Sequence, residues 1–260
     1  MNCTKVLYEE LLPHEFKERI EAAPVAYLPL GTLEWHSFHL PFGADGIQSQ
    51  GVMKQLAEKA GGIVLPMLFV GPDSEEEKDS NYYYGMDGYS FEKGHPQQLP
   101  GSAYHMPEEQ FSQLLDRILE NLARADFRAV IAHGHGPSTH LFRAKKEEYK
   151  KRFGLATYTL WDLGYEEEEG IQTDHAAANE TALVMALRPD LVAIDRLPKE
   201  GISVSVWGQD PRVHASAERG KQLIAQNVEL AAEKIAKLRK ELSKPEIRME
   251  FTKVANMLKE

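Results

Sequence analysis

Residues 28–46 read L-P-L-G-T-L-E-W-H-S-F-H-L-P-F-G-A-D-G, and the chain changes character inside that stretch. Its front belongs to an apolar run, Val25 to Leu30, of the kind that fills a buried strand. It then fills with Glu34, His36, His39 and Asp45, all of them side chains that bind metals. On an extended backbone residues i and i+2 point the same way, so Glu34 and His36 face one point with Trp35 turned aside. Pro41 holds Leu40 extended, and Gly43 and Gly46 permit a tight path that returns Asp45 towards that point. A strand that ends in Glu-x-His, with an Asp close behind, gathers oxygen and nitrogen ligands suited to a divalent metal. Ordinary roles are also open to each residue: core or surface histidines, and Asp45 as N-cap of the helix that follows. Together, at the carboxyl end of a buried strand, they favour a site, because open α/β sheets bind their ligands there.

Working outward, strands and helices alternate. The patterning predicts a short helix over 15–22, the strand at 25–31, a helix over 47–59 and a second buried strand over 63–70. Phe111, Leu114, Leu115, Ile118, Leu119 and Leu122 give the clearest helical period, over 107–124. A third strand over 127–132, a basic helix over 138–152 and a fourth strand over 156–161 follow. Then come a helix over 175–187, a short strand over 191–196 and a long helix over 214–242. This order predicts an α/β fold with a mainly parallel sheet covered on both faces, as one unit over 1–242 with a tail over 243–260. Residues 72–106 break the rhythm with a Glu run, Tyr82–Tyr84, glycines and prolines. A segment of that length is a functional or mobile loop, its aromatics either lining a pocket or packing the loop down.

The chain has 260 residues, 42% of them hydrophobic, and a net charge of −10. With no basic tract to follow a phosphate backbone, nucleic acid is excluded as a partner. Cys3, the only cysteine, rules out an internal disulfide. No apolar run approaches membrane-spanning length and no signal peptide precedes the first acidic segment, which points to a cytoplasmic protein.

Two further polar clusters follow strands. His133-Gly134-His135-Gly136-Pro137-Ser138 places two histidines on one side of an extended chain, with Ser138 as a candidate helix N-cap. Asp174-His175-Ala176-Ala177-Ala178-Asn179-Glu180-Thr181 opens a helix that Asp174 would cap, with His175 in its first turn. Glu180 then sits among Ala182, Leu183, Val184 and Leu187, where a carboxylate is costly unless paired or bound to metal, or else faces solvent. His140 is the least certain of the remaining histidines.

These residues carry a resemblance. The opening stretch is similar to the motif P-x-G-s-x-E-x-H-G-x-H-L-P-x-x-x-D of the creatininase family, the creatinine amidohydrolases and their relatives. Residues 134–138 resemble its G-H-G-G-N, and residues 175–182 its H-A-G-x-x-E-T-S. Gly208-Gln209-Asp210-Pro211 with Ala215, Ser216 and Glu218 resembles its G-D-P…A-S-x-E. The likeness covers most of residues 15–235. It implies a three-layer α/β/α fold, two divalent metal ions per chain (Zn, Mn or Fe), hydrolysis of a cyclic or linear C–N amide bond in a small-molecule substrate, and a homo-oligomer, a hexamer above all. By position, Glu34 and His135 would hold one metal, His36 the other, and Asp45 would bridge them. His175 is the candidate for proton transfer to the leaving nitrogen.

Two departures stand out. Creatinine-hydrolysing members carry a metal-binding Glu where this chain has Pro137, and the family's His-Ala-Gly and Asn read His175-Ala176-Ala177 and Ser138 here. They imply that creatinine itself is not the substrate. His36 and Asp45 alone leave the second metal short of the three protein ligands of catalytic zinc sites. Glu180 would complete the set, His140 is its rival, and a single metal is the third possibility. A peptidase or deformylase acting on a larger substrate, and a non-catalytic metal-binding relative, are the alternative functions.

Overall fold

The computed structural model describes residues 4–89, 96–201 and 204–242. Cys3, His95 and the expected tail over 243–260 lie outside them. The chain runs through helix α1 (Pro13–Ala22), strand β1 (Val25–Leu30), helix α2 (Ala44–Ala60) and strand β2 (Ile63–Val64). Strands β3 (Glu75–Lys78) and β4 (Asn81–Tyr84) precede helix α3 (Glu108–Arg124), strand β5 (Ala129–Gly134) and helices α4 (Gly136–Ala144) and α5 (Lys146–Phe153). Strand β6 (Ala156–Tyr158) and helices α6 (Leu160–Leu163), α7 (Ala178–Leu187), α8 (Pro211–His214) and α9 (Ala217–Glu241) complete the order.

β2, β1, β5 and β6 form one sheet in that order, all parallel, with Val25 opposite Ala129 and Leu30 opposite Gly134. β1 is buried throughout, and its alternation splits its side chains between two cores. Val25 and Tyr27 join Met53 and Leu56 of α2, Leu183 of α7 and Ile224, Val228 and Ile235 of α9. Ala26, Leu28 and Leu30 join Phe111, Leu115 and Leu119 of α3 and Tyr149 of α5. The sheet is the middle of three layers, and no helix among the described residues is long and apolar enough to cross a membrane.

Several expected boundaries move. The second strand pairs in register only over Ile63–Val64; Leu65 N–H still reaches the Tyr27 carbonyl, and the chain rejoins β1 at an isolated bridge between Leu68 and Leu30. The fourth stops at Tyr158, since Thr159 and Asp162 cap α6 reciprocally: the Asp162 carboxylate accepts from Thr159 N at 2.7 Å. The expected strand over 191–196 is instead a pair of 3₁₀ turns, Pro189–Leu191 and Ile194–Arg196, between which Ala193 N–H bonds to the His39 carbonyl. The basic helix breaks at Lys145 into α4 and α5. The long C-terminal helix begins at Ala217, where the Ser216 hydroxyl accepts from Arg219 N. The segment 72–106 holds a regular piece, the antiparallel hairpin β3–β4. Tyr84 stacks on His105 and donates its hydroxyl to the Ser102 carbonyl, so this tyrosine packs the loop down.

Candidate metal centre

In a parallel sheet all carboxyl ends lie along one edge, and that edge gathers the polar clusters. Past β1 the chain is pinned at Leu33 by an antiparallel bridge to Ala103, which aims Glu34 and His36 inward. α2 starts earlier than its periodicity suggests. Its N-cap position is Gly43, so Asp45 is not the cap but a first-turn residue with a buried carboxylate. Past β5, Gly134 has φ 147°, and a Cβ there would run into the Leu30 carbonyl oxygen; His135 then takes the N-cap position of α4. Ser138 is not that cap. It lies inside the first turn and its hydroxyl meets His135 Nδ1 at 3.0 Å.

The third cluster folds differently from the expected helix start. α7 begins at Ala178, and His175 lies before it, extended, exchanging both backbone hydrogen bonds with Trp207. The Asp174 carboxylate still serves the helix, accepting from Asn179 N and Glu180 N at 2.7 and 3.0 Å. Ala176 and Ala177 therefore precede the helix rather than sharing a face with Glu180. Glu180 is buried, not solvent-facing; it accepts from Ala176 N at 2.8 Å and from Gln48 Nε2 at 3.3 Å.

Two ligand sets result. His36, Asp45 and Glu180 form one, with His36 Nε2 3.3 Å from Asp45 Oδ2 and 3.5 Å from Glu180 Oε2. Glu34, Asp73 and His135 form the other, with His135 Nε2 3.7 Å from Glu34 Oε1 and 3.4 Å from Asp73 Oδ2. Glu34 Oε1 also lies 3.9 Å from His36 Nε2 and 3.8 Å from His175 Nδ1, so the sets adjoin, and Glu34, His36 and His175 make a third grouping. Tetrahedral ligands about 2.1 Å from an ion stand roughly 3.4 Å from one another, the spacing found within both sets. His36 Nε2 and Asp45 Oδ2 are buried without a hydrogen-bond partner. The ion pairs of Glu34, Asp45, Asp73 and Glu180 among the described residues are all with histidine. Buried carboxylates gathered this closely need a cation, and the donor set fits one.

The imidazoles are oriented for that task. His36 Nδ1 lies 3.2 Å from the Glu34 carbonyl, which can only accept, so the proton sits on Nδ1 and Nε2 faces the carboxylates. His175 Nε2 is held in the same way by the Trp35 carbonyl at 3.1 Å, leaving Nδ1 with its lone pair towards Glu34. Burial disfavours a charged His36, yet Asp45, Glu180 and Glu34 outweigh it and raise its pKa to about 10. His135 rises to about 9 in the same contest, chiefly through Glu34. Burial, reinforced by His36, drives His175 down to about 3, so that it is neutral at ordinary pH. Burial pushes Glu34 and Glu180 above the usual carboxylate range. For Asp45 burial works the same way but loses to His36, and its pKa falls.

Some candidates stand apart. His39 is in neither set; its Nε2 meets the Thr181 hydroxyl at 2.8 Å and ties the 37–40 turn to α7. His133 faces away, its Nε2 bonded to the Ile171 carbonyl. His140 packs on Trp161 and belongs to no ligand set. Asp73 is the acid the sequence pattern did not single out. It follows β2 on the same sheet edge as the other clusters, and that position was the available signal. Gly71, two residues earlier, lies against His135 and Ser138, where a Cβ would come within 2.3 Å of Ser138 Oγ. Gln172 is a second omission: its Nε2 donates to the Asp45 carbonyl at 3.0 Å and approaches Asp45 Oδ1 at 3.4 Å. The ligand sets open into a cavity of about 750 Å³.

Fold and site define a parallel α/β protein with a buried, two-set cluster of carboxylates and imidazoles that could hold divalent metal. Residues 9–235 match the family model for creatininase, described as creatinine amidohydrolase, and the chain belongs to that family. The fold is that of its metal-dependent amidohydrolases. A creatinine amidohydrolase of Pseudomonas putida is 26% identical over 212 residues, covering 74% of this chain and 75% of the relative. A solved creatininase superposes with a TM-score of 0.70 at 22% identity, over 91% of this chain and 99% of that one. A manganese creatininase gives 0.67 at 23% identity, over 90% and 99%. A Zn–Zn form of a glutamate-to-glutamine creatininase variant gives 0.67 at 23%, over 91% and 99%.

Proposed function

We propose that the protein is a cytoplasmic amidohydrolase that cleaves a C–N amide bond, cyclic or linear, in a small molecule other than creatinine, with two divalent ions (Zn, Mn or Fe) per chain. The spacing within the two ligand sets carries this reading. Glu34, Asp73 and His135 would hold one ion, and His36 and Glu180 the other. Asp45, its carboxylate 3.3 Å from His36 Nε2, would bridge them, as the family resemblance implies. When bound, such ions lower the pKa of water into the neutral range and polarise a carbonyl oxygen. The chain's own residues do the rest. Gln172 holds Asp45 by its backbone carbonyl and reaches its carboxylate at 3.4 Å, and Gln48 donates to the Glu180 carboxylate. His175, neutral and with Nδ1 towards Glu34, would take the proton that the attacking water gives up and pass it to the departing nitrogen. Pro137, on the cavity wall, has no side-chain atom to ligate metal or hydrogen-bond creatinine. A homo-oligomer, hexameric in line with the resemblance, completes the proposal.

The test is a panel of cyclic and linear amides, creatinine included, incubated with metal-loaded protein while released amine is measured. Turnover of at least one amide, with creatinine poor and Glu180→Gln inactive, is expected. Full metal loading without turnover of any amide, or efficient creatinine hydrolysis, contradicts the proposal.

A further inference from the structure

The metal-ligand residues occupy only the floor of the cavity. At about 750 Å³ it lies within the range, about 300–1,000 Å³, that buries most of a ligand much larger than an amide group. One wall is built of rings from floor to mouth. The His36 ring stacks on His175 with centroids 4.4 Å apart. His175 and Trp207 are a doubly hydrogen-bonded antiparallel pair, which sets their side chains on the same face. Trp207 stacks in turn on Tyr89, centroids 5.9 Å apart and planes within 20°. Trp207 and Tyr89 both line the cavity, yet they are 69% and 57% exposed. Two large rings stacked on each other in water bury little of their own apolar surface, and a third flat group is the partner their faces suit. Gly208 fits against Asp174 and Ala177, where a Cβ would come within 2.8 Å of each, so the segment after Trp207 packs closely on the one around His175.

We propose that Trp207 and Tyr89 form an aromatic subsite at the mouth of the cavity, and that the substrate is an amide bearing a flat aromatic or heteroaromatic group. This rests on the hydrolase reading for its chemistry but not for its binding. The probes are benzamide and cyclohexanecarboxamide, of similar size, one flat and one puckered. Each is titrated into the full-length protein, as purified and after metal removal, by tryptophan fluorescence and saturation-transfer NMR. Benzamide is expected to bind about tenfold more tightly, with its ring protons most strongly saturated. Trp207→Ala should abolish that preference, Tyr89→Ala reduce it and Trp207→Phe retain it. The subsite is overturned if wild-type protein shows no preference, or if the preference survives Trp207→Ala with Tyr89→Ala. It is equally overturned if Trp207→Ala alters only the assembled mass, which would make the pair a subunit contact. Acetohydroxamate, a ringless metal chelator, serves as control. Its binding reports the metal centre and should not respond to Trp207→Ala. Failure of metal-reconstituted protein to bind acetohydroxamate, with the benzamide preference intact, would refute the metal reading and leave the subsite standing.

Discussion

Three protein ligands per ion is the arithmetic on which the centre turns. Glu180 stands 3.5 Å from His36 Nε2, whereas His140 packs on Trp161 outside both sets. Glu180→Gln should therefore lose about one metal equivalent by elemental analysis, while His140→Ala keeps both. The reverse pattern would transfer the role to His140. Asp73 completes the other set, so Asp73→Asn should also lose about one equivalent, with its far-ultraviolet circular dichroism unchanged. A fully loaded Asp73→Asn protein would mean that Glu34, His135 and the bridging Asp45 suffice for that ion. The difference in legibility between these two acids is physical. Glu180 declared itself as a carboxylate inside an apolar helix, a local contradiction that only a partner resolves. Asp73 sits in a polar, acidic segment where another acid raises no contradiction. Its place after β2 was the one sequence signal, and the tertiary approach of Gly71 to His135 and Ser138 brings it to the set.

Among the elements, α9 tests how the apolar seam is used. Ile224, Val228, Ala231 and Ile235 repeat at heptad-like intervals that suit either a neighbouring subunit or the protein's own core. The structure buries them in the core shared with β1 and β5, with Leu238 and Leu242 packed against it. Ile235→Ala should lower the unfolding free energy by about 2–5 kcal/mol. The denaturant midpoint measures it, and light scattering should find the assembled mass unchanged. A change in mass without loss of stability would put the seam at a subunit interface. Elements with a long one-face pattern, such as α3 and α9, were legible because burial is written into their spacing, and β1 because burial on both faces leaves an unbroken apolar run. Elements defined by a turn were not. The start of α7 depends on His175 pairing with Trp207, 32 positions away, and α6 on one capping pair, neither of which leaves a periodic trace. The first two clusters were legible because each follows the end of a strand, and the third because it opens a helix; their division into two sets was not, since it depends on how β1, β5 and α7 converge.

For the molecule as a whole, the buried cluster makes stability depend on pH in a way that metal should reverse. With the ions removed, His36 and His135 have pKa values of about 10 and about 9, above the value of about 6.5 in an unfolded chain. Between about pH 6.5 and those values the folded state binds more protons than the unfolded state, so its stability falls as pH rises. The raised Glu34 and Glu180 act in the same direction from the ordinary carboxylate range upwards. Metal-free protein should thus melt at progressively lower temperature from pH 7 to pH 10, by calorimetry. Loaded protein should lack that decline, because ligation already requires the deprotonated imidazoles. Parallel curves for the two forms would mean that the cluster is not linked to metal. Most direct is the metal content of the protein purified without added metal and measured by elemental analysis against protein concentration. Close to two divalent ions per chain should be found, directly or after reconstitution. Less than about half an equivalent, with no uptake on reconstitution, would contradict the two-metal centre.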